Sequence, residues 1–199
     1  MAEREVALRD GSRAVVRPIR ADDREAIRSA FGRLSAESRY RRFLSATTSL
    51  SDEELRYLTE VDHRNHEALV AFDPATREGV GVARFVRDRD DPAIAEAAVV
   101  VDDRWQGRGL GTVLCQLLAE RARAEGVERF LATLLAANRP MLGLLESLGS
   151  ARVVADGGST ITVEVEIPKE GIGEQMRELL RAAARGLARL ANTPGSAER

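Results

Sequence analysis

Apolar positions in the first third of the chain follow strand spacing and then helix spacing. Residues 14–19 are mostly apolar and follow an Asp-Gly turn signal, which predicts a strand. After positions 22–23 the apolar residues recur every three to four positions, which predicts a helix that starts there. A second short helix is predicted after Ser35. The Ser-x-x-Glu sequence at 51–54 is a capping box, so a third helix should follow at about 52–60.

Apolar runs in the middle of the chain predict the body of a sheet. Strands are predicted at 67–72, 80–87, 94–101, 129–135, 152–155 and 160–167. One helix is predicted from 110 to about 126, where apolar residues follow a 3.6-residue period. Another should run from Asn138, with Pro140 in its first turn, to Gly149. This order of elements predicts an α/β sheet with helices on both faces.

The last segment of the chain has a different composition. Residues 168–173 are typical of a linker, 176–190 carry an apolar stripe at helical spacing, and 192–199 are polar. We therefore predict a main domain over 1–168 and a C-terminal amphipathic helix with a polar tail over 169–199. The apolar face of this helix would either pack on its own domain or contact a partner chain, as in a homodimer.

Composition narrows the classes of function. The 199 residues carry a formal net charge of −2, so bulk charge does not indicate nucleic-acid binding. The single cysteine, Cys115, excludes an internal disulfide and is typical of the reducing cytoplasm. No segment is long and apolar enough to predict a membrane span, and the charged first ten residues lack the apolar core of a signal peptide. The spacing of His63 and His66 matches no recognised zinc pattern, so we expect no metal and a hydrogen-bonding role in a loop.

The most informative stretch is a glycine-rich loop between a predicted strand and a predicted helix. Three glycines alternate there with other residues, in the order Gly107, Arg108, Gly109, Leu110, Gly111. Such a loop presents backbone N–H groups at the positive end of a helix dipole, where phosphate or pyrophosphate binds. Leu110 after Gly109 excludes a P-loop, and Thr112 excludes a dinucleotide fingerprint. The alternative is a glycine-rich helix start without a ligand, although three glycines would weaken that end of the helix.

The pattern Gln-x-x-Gly-x-Gly, at Gln106, Gly109 and Gly111, resembles the acyl-CoA pyrophosphate loop of the GNAT superfamily of N-acyltransferases. With the order of elements, the resemblance covers about residues 10–167. Within the superfamily the chain is most similar to the acetyltransferase domain of bacterial protein lysine acetyltransferases, in the stretches 8–12, 17–20, 34–40, 58–62, 83–87, 95–96 and 138–141. The resemblance implies the GNAT fold, a mixed and mostly antiparallel central sheet with helices on both faces.

The resemblance also implies acetyl-CoA as the acetyl donor. Backbone N–H groups would hold its pyrophosphate, from Gln106, Gly107, Arg108, Gly109, Leu110, Gly111 and Thr112. Family members splay the strand before the loop with a bulge, so that the pantetheine arm pairs with its backbone like an extra strand. Here that would involve Val99, Val100 and Val101. Asn138 would face the same arm from the next strand–helix junction, or alternatively serve only as a helix cap.

Glu96, just before the loop, is the catalytic residue that the resemblance implies. In related lysine acetyltransferases an acidic residue at this place acts as general base and takes a proton from the substrate ammonium, directly or through water. The reaction needs this because only a neutral amine attacks a thioester, whereas a free lysine amine has a pKa of about 10.4. The neighbours Ala95, Ala97 and Ala98 predict apolar surroundings that suit a general base. The alternative is a solvated strand glutamate.

One position departs from the family pattern. Many GNAT enzymes carry a tyrosine on the helix after Asn138 as general acid for the departing thiolate, and Leu145 stands there in this sequence. The CoA thiol has a pKa near that of cysteine, about 8.5, so the thiolate can leave with little help. The departure therefore weighs against fast catalysis without excluding it.

Arginines near the loop have two expected roles. Arg39, Arg41 and Arg42 lie in one short predicted helix, and we expect them to form a solvated face. A contact with the 3′-phosphate of the adenine nucleotide is expected instead from Arg104 or Arg108, which lie in and beside the glycine loop.

Three hypotheses on function follow. The first is an acetyl-CoA-dependent N-acetyltransferase that acts on a protein lysine, and the second is the same chemistry on a small amine. The third is a non-catalytic acyl-CoA-binding regulatory module that works through the C-terminal helix. Glu96 favours an enzyme, and the absence of a tyrosine at Leu145 favours the module. No motif identifies the acceptor, because acceptor sites in this fold are built from variable loops.

Overall fold

The computed structural model describes residues 1–168, and its strands form a single sheet. The strands are β1 (Arg4–Ala7), β2 (Arg13–Pro18), β3 (His66–Phe72), β4 (Gly79–Arg87), β5 (Ile94–Val101), β6 (Arg129–Leu135), β7 (Ala151–Asp156) and β8 (Thr160–Glu166). Their order across the sheet is β1-β2-β3-β4-β5-β6-β8-β7. Every neighbouring pair is antiparallel except β5 and β6, which run parallel. The prediction of a mixed and mostly antiparallel sheet is confirmed.

The helices of the described residues cover both faces of this sheet. They are α1 (Arg24–Arg33), α2 (Ala36–Phe43), α3 (Asp52–Thr59), α4 (Leu110–Ala124) and α5 (Arg139–Leu148). Successive side chains of a strand point to opposite faces. On β5, Val100 lines a cavity bounded by α1, α2 and α3, whereas the side chain of Val101 lies near Gly111 at the start of α4. The three N-terminal helices and α4 therefore lie on opposite faces, as predicted.

Apolar layers hold the helices on the sheet. On the first face, a buried cluster joins α1 and α3 to the strands through Ile19, Ile27, Phe31, Leu34, Leu50, Leu55, Ala68 and Val70. On the second face, α4 buries one side of its length, at Leu110, Leu114, Cys115, Leu117, Leu118, Ala119 and Ala122. At about 25 cal/mol per Å² of apolar area removed from water, such layers are the main source of stability for the fold.

Local signals place two helix starts as predicted. The hydroxyl of Ser51 accepts from the N–H of Glu54 at 3.2 Å, and the Glu54 carboxylate accepts from the N–H of Ser51 at 2.7 Å. This is the predicted capping box of α3. Asn138 caps α5, since its Oδ1 accepts from the N–H of Met141 at 3.3 Å. The first helix begins slightly later than predicted, at Arg24, after a 3₁₀ turn.

One observed strand was not predicted, and one predicted helix lies outside the described residues. The strand β1 was missed because its sequence, Arg-Glu-Val-Ala, has little apolar alternation and forms the outer edge of the sheet. The predicted C-terminal helix and tail at 169–199 lie outside the described residues. Residues 1–167 form one compact unit, and none of the helices described in it is long and apolar enough to cross a membrane.

The pairing of β5 creates the opening on which the site depends. β5 pairs with β4 from Ala95 to Val101 without a register shift. With β6 it pairs only at Ile94, Ala95 and Glu96. Beyond Glu96 the two strands diverge, because β5 continues along β4 and β6 continues along β8. The implied splay is present, but the implied bulge is absent from the β4–β5 pairing.

Candidate active site

The glycine loop has the backbone geometry of an anion cradle. Gly107 and Gly109 adopt φ values of +74° and +94°, a conformation that residues with a side chain rarely adopt. Gly109 is also the N-cap residue of α4, and the first helical hydrogen bond runs from the N–H of Val113 to its carbonyl at 3.1 Å. The N–H groups of residues 110–112 precede that bond, so the helix itself offers them no acceptor. They point outward at the positive end of a 15-residue helix.

Hydrogen bonds fix this loop to β5 and α2. The amide of Gln106 donates to the carbonyl of Val101 at 3.1 Å and to the hydroxyl of Ser38 at 3.2 Å. The carboxylate of Asp103 accepts from the N–H of Ser35 at 2.8 Å and from the hydroxyl of Ser38 at 2.6 Å. Burial raises the pKa of Asp103, but these hydrogen bonds outweigh it and the net shift is downward. The start of α2 is thereby held beside the loop.

A cleft of about 610 Å³ runs from the loop along the gap between β5 and β6. It brings together most of the predicted cofactor residues, namely Val99, Val100, Val101, Gln106, Gly107, Gly109, Gly111, Thr112 and Asn138. Two predicted residues are not on its wall. Leu110 is buried under the loop, and the Arg108 side chain lies over the Trp105 ring at 5.0 Å and beside Asp10.

The three valines of β5 differ in where their backbone groups point. The N–H of Asp102 donates to the carbonyl of Val80 in β4 at 2.9 Å. Backbone groups alternate sides along a strand, so residue 100 is also directed to β4, while Val99 and Val101 are directed to the gap. An extended ligand arm in the cleft can therefore pair with Val99 and Val101, whereas Val100 contributes only its side chain.

The arginines that face the cleft are not those expected. Arg104 forms ion pairs with Asp102 at 3.0 Å and Glu78 at 3.3 Å, outside the cleft wall. Arg9, Arg41 and Arg42 line the cleft instead. The Arg9 side chain lies within 3.3 Å of the place where a Cβ on Gly109 would be, and its N–H donates to the carbonyl of residue 108. Neither Arg104 nor Arg108 lines the cleft, and a contact of either with the 3′-phosphate stays a prediction. Arg9 was missed because it is 100 residues away from Gly109 in sequence.

Glu96 lies where β5 and β6 begin to separate. It is the last residue of β5 that pairs with β6, and its exposed side chain lines a second cavity of about 280 Å³ on the face of α2 and α3. The apolar surroundings expected for Glu96 are present only in part, and they come from Phe43, Leu50, Leu58, Val86 and Ala98. Ala95 and Ala97 point to the other face, as alternate strand residues must, and the cavity around Glu96 contains Arg42 and Arg84.

These two arginines are the positively charged neighbours of Glu96 in a cavity that Glu54 also lines. Arg84 is buried, and its guanidinium donates to the carbonyl of Leu58 and to Nε2 of His66, both at 3.0 Å. Burial, and then repulsion from Arg42, lower the pKa of Arg84 to about 9. Burial also lowers the pKa of Arg42, while attraction to Glu96 opposes that shift. The guanidinium group keeps its proton in proteins, so both side chains act as cations.

The predicted solvated face of α2 is not observed. Arg39, Arg41 and Arg42 are all partly buried. Arg39 lies over the Phe31 ring at 5.5 Å, and Arg42 over the Phe43 ring at 5.0 Å. This burial could not be predicted, because a run of arginines in a short helix is typical of a solvent-facing surface.

Comparison with known proteins identifies the family. The family model described as "Acetyltransferase (GNAT) family" matches residues 34–149. Acetyltransferase Pat of Mycolicibacterium smegmatis is 36% identical over 166 residues, which cover 82% of this chain. Acetyltransferase PA5475 of Pseudomonas aeruginosa is 36% identical over 146 residues, which cover 72% of this chain and 77% of that protein.

The chain belongs to the GNAT acetyltransferase family. The crystal structure of the GNAT domain of S. lividans PAT superposes with a TM-score of 0.77 at 31% identity and covers 83% of this chain and 97% of that one. The chain spans 48% of the length of the Mycolicibacterium protein. As in other GNAT acetyltransferases, acetyl-CoA is the acetyl donor.

The geometry fits that donor. An anion cradle at the start of α4 suits a pyrophosphate, and the free edge of β5 suits an amide-bearing arm such as pantetheine. Asn138 is buried, caps α5 and lines the cleft, so its two expected roles are compatible. The assignment of individual residues to the donor stays a prediction.

A cavity of about 50 Å³ shares Arg42, Val99 and Asn138 with the cleft, and we call it the deep end of the cleft. Its wall lacks the tyrosine of many GNAT enzymes. Leu145 is buried and lines this end together with Cys115, Asn138 and Arg42. Burial raises the pKa of the Cys115 thiol to about 12, so it remains a neutral packing group. Both tyrosines of the chain, at positions 40 and 57, lie in α2 and α3 and not in α5.

The two histidines have hydrogen-bonding roles, as expected. Nδ1 of His63 lies 2.7 Å from the carboxylate of the buried Glu67, and Nε2 of His66 accepts from Arg84. The ring of His66 also contacts Tyr57, with 5.0 Å between centroids. Through Arg84 and Tyr57, His66 borders the Glu96 cavity.

Proposed function

We propose that this GNAT acetyltransferase moves the acetyl group of acetyl-CoA to the side-chain amine of a protein lysine. One observation carries the proposal: the exposed carboxylate of Glu96 lies where the donor gap between β5 and β6 begins and also lines an open cavity. The similarity to proteins named Pat supports it. An amine that enters this cavity would meet the donor at the base of the splay.

The N–H groups of residues 106–112 would bind the pyrophosphate of the donor. Val99 and Val101 would pair with the pantetheine amides, and this pairing would place the thioester near the deep end of the cleft. Acetyl-CoA supplies the activated acetyl group. The protein would hold it in register with the amine, and such positioning accounts for much of the rate gain in group transfer.

Glu96 would accept the proton that the amine must lose. The positive field of Arg42 and Arg84 favours the neutral form of an amine nearby, and it also favours the carboxylate form of an acidic neighbour. Both effects help a proton pass from the amine to Glu96, directly or through a water. The first turn of α3 carries Asp52, Glu53 and Glu54 near the entrance, which suits a basic acceptor surface.

A small amine is the second candidate acceptor, and one observation favours it. Arg42 and Arg84 line the cavity beside Glu96, and a guanidinium pair can bind a carboxylate on an amino acid. We give it second place because the donors of Arg84 are engaged by Leu58 and His66.

Mass spectrometry tests the two candidates together. The purified chain, acetyl-CoA and a protein lysate are incubated, and acetyl-lysine is quantified against the Glu96→Gln variant. A panel of amino acids and polyamines is run in parallel. Acetyl-lysine that depends on Glu96 would support the protein acceptor. Turnover confined to the small-amine panel would refute it.

A further inference from the structure

Among the described residues, Arg42 is the only charged residue that lines both the cleft and the Glu96 cavity. It lies on the wall of the donor cleft, at the deep end of that cleft, and in the cavity that holds Glu96. Helix α2 places it there because α2 packs across β5 and β6, over the point where they separate. The thioester carbon and the attacking amine must meet at this junction.

The N–H groups of the Arg42 guanidinium are available to donate hydrogen bonds to a ligand. Within residues 1–168 it makes no hydrogen bond and no ion pair within 4 Å, and its contact is with the face of the Phe43 ring. Its neighbour Arg84 is different, since both terminal nitrogens of Arg84 are hydrogen-bonded. A partly buried cation without a partner is costly to keep, so an unpaired Arg42 at the reaction centre calls for a ligand.

We propose that Arg42 is a second catalytic residue, which stabilises the negative charge that develops on the thioester oxygen and on the departing sulfur. In the transfer, a C–N bond forms, the C–S bond breaks with its electron pair on sulfur, and the proton of the amine passes to Glu96. The charge therefore appears on oxygen and then on sulfur, both within the cleft that Arg42 lines.

In this role Arg42 would assist the departing thiolate, as the tyrosine does in many GNAT enzymes. Leu145 cannot donate a proton or a hydrogen bond to the leaving group, and Cys115 beside it is neutral and buried. A guanidinium cannot act as a general acid at neutral pH, but the thiolate needs no proton to leave. It needs a nearby positive charge, which Arg42 supplies from a partly buried position beside the cleft.

The inference rests on the proposed acetyl transfer, but its test needs no acceptor. Acetyl-CoA labelled with carbon-13 at the carbonyl is bound to the protein, and isotope-edited infrared difference spectra report the carbonyl stretch. A hydrogen bond from Arg42 weakens the C=O bond. We expect the band at lower wavenumber in the wild type than in Arg42→Met, with Arg42→Lys between them.

Kinetics provide the second readout. Arg42→Met should lower kcat by about 10²–10³-fold, as loss of one oxyanion donor does, with a KM for acetyl-CoA close to that of the wild type. Arg42→Lys should restore part of kcat because it keeps the charge. Arg56→Gln, which removes an exposed arginine on α3, is the control and should leave both readouts unchanged.

Two results would overturn the proposal. The first is a carbonyl band at the same wavenumber in wild type and Arg42→Met when acetyl-CoA is bound to both. The second is loss of acetyl-CoA binding in both Arg42 variants, since Arg42 would then serve to bind the donor and not to stabilise the reaction. A failure of the lysine hypothesis would appear only in the acceptor assay and would leave the infrared result unaffected.

Discussion

The donor end and the acceptor end of the site differ in the kind of chemical group that forms them. At the proposed donor end, the groups that would bind acetyl-CoA are backbone groups of the contiguous loop 106–112 and of the free edge of β5. At the proposed acceptor end, the functional groups are side chains from three separate elements, with Arg42 on α2, Arg84 on β4 and Glu96 on β5. A site made from contiguous backbone tolerates variation in side chains, whereas a composite site depends on each residue that contributes to it.

The largest expected effect on the donor end comes from a substitution that prevents a loop glycine from adopting its positive φ. Gly109→Val should abolish the rise in melting temperature that acetyl-CoA causes, because valine is strained at a φ of +94° and its Cβ would meet Arg9 at 3.3 Å. In the wild type, ligand at 100 times Kd contributes about 2.7 kcal/mol to stability. Thermal unfolding with and without acetyl-CoA measures the difference.

A matched control separates strain from binding. Gly126, just after α4, has a φ of +81° and no atom within 4 Å of its Cβ position. Gly126→Val should therefore lose stability through the same kind of strain but keep the acetyl-CoA shift. A folded Gly109→Val protein with the wild-type shift would remove the pyrophosphate assignment.

At the acceptor end, the loss of one side chain should lower the stability of the protein without affecting acetyl-CoA binding. Arg84→Met leaves the carbonyl of Leu58 and Nε2 of His66 without their donor, so we expect a loss of roughly 2–3 kcal/mol in the free energy of unfolding. Urea denaturation measures this, with Arg56→Gln as the exposed control, for which we expect a change within about 0.5 kcal/mol. The acetyl-CoA shift should survive in Arg84→Met. Its loss would show that the two ends are not separate.

The lowered pKa of His66 predicts a smaller effect, a dependence of the free energy of unfolding on pH. Burial, and then the charge of Arg84, lower the pKa of His66 from 6.5 to about 4. As pH falls below 6.5, the unfolded chain takes up the proton first, so stability is lost between pH 6.5 and pH 4. His66→Gln lacks this titration and should lose about 1–2 kcal/mol less than the wild type between pH 7 and pH 5. Parallel pH curves for the two proteins would contradict the assignment.

The same contrast explains what could be predicted from the sequence. The glycine loop, the capping box at 51–54 and the cap at Asn138 are local signals, because each is complete within a few residues. The fold followed from these signals and from the apolar periodicity. The strand β1 was not predicted, because an exposed edge strand needs little apolar alternation.

The acceptor end could not be predicted because it depends on which residues the fold brings together. Ala95 and Ala97 are neighbours of Glu96 in sequence but lie on the other face, whereas Arg42 is 54 positions away and shares its cavity. The run of arginines in α2 carried no sign that one of them would be left without a partner between two cavities. A check of side-chain alternation along β5 would have shown that Ala95 and Ala97 do not face the same side as Glu96.

The most direct test of the account is the turnover of Glu96→Gln at neutral pH. Glutamine keeps the size of the side chain but cannot accept the proton, so turnover should fall by about 10²–10⁴-fold. A thiol-release assay with an accepted amine measures the rate, and the acetyl-CoA shift in melting temperature should remain that of the wild type because residues 106–112 are intact. Higher pH should partly rescue the variant, since more of the amine is then neutral. Equal turnover of Glu96→Gln and wild type would contradict the assignment of Glu96 as the base and, with it, the acceptor end described here.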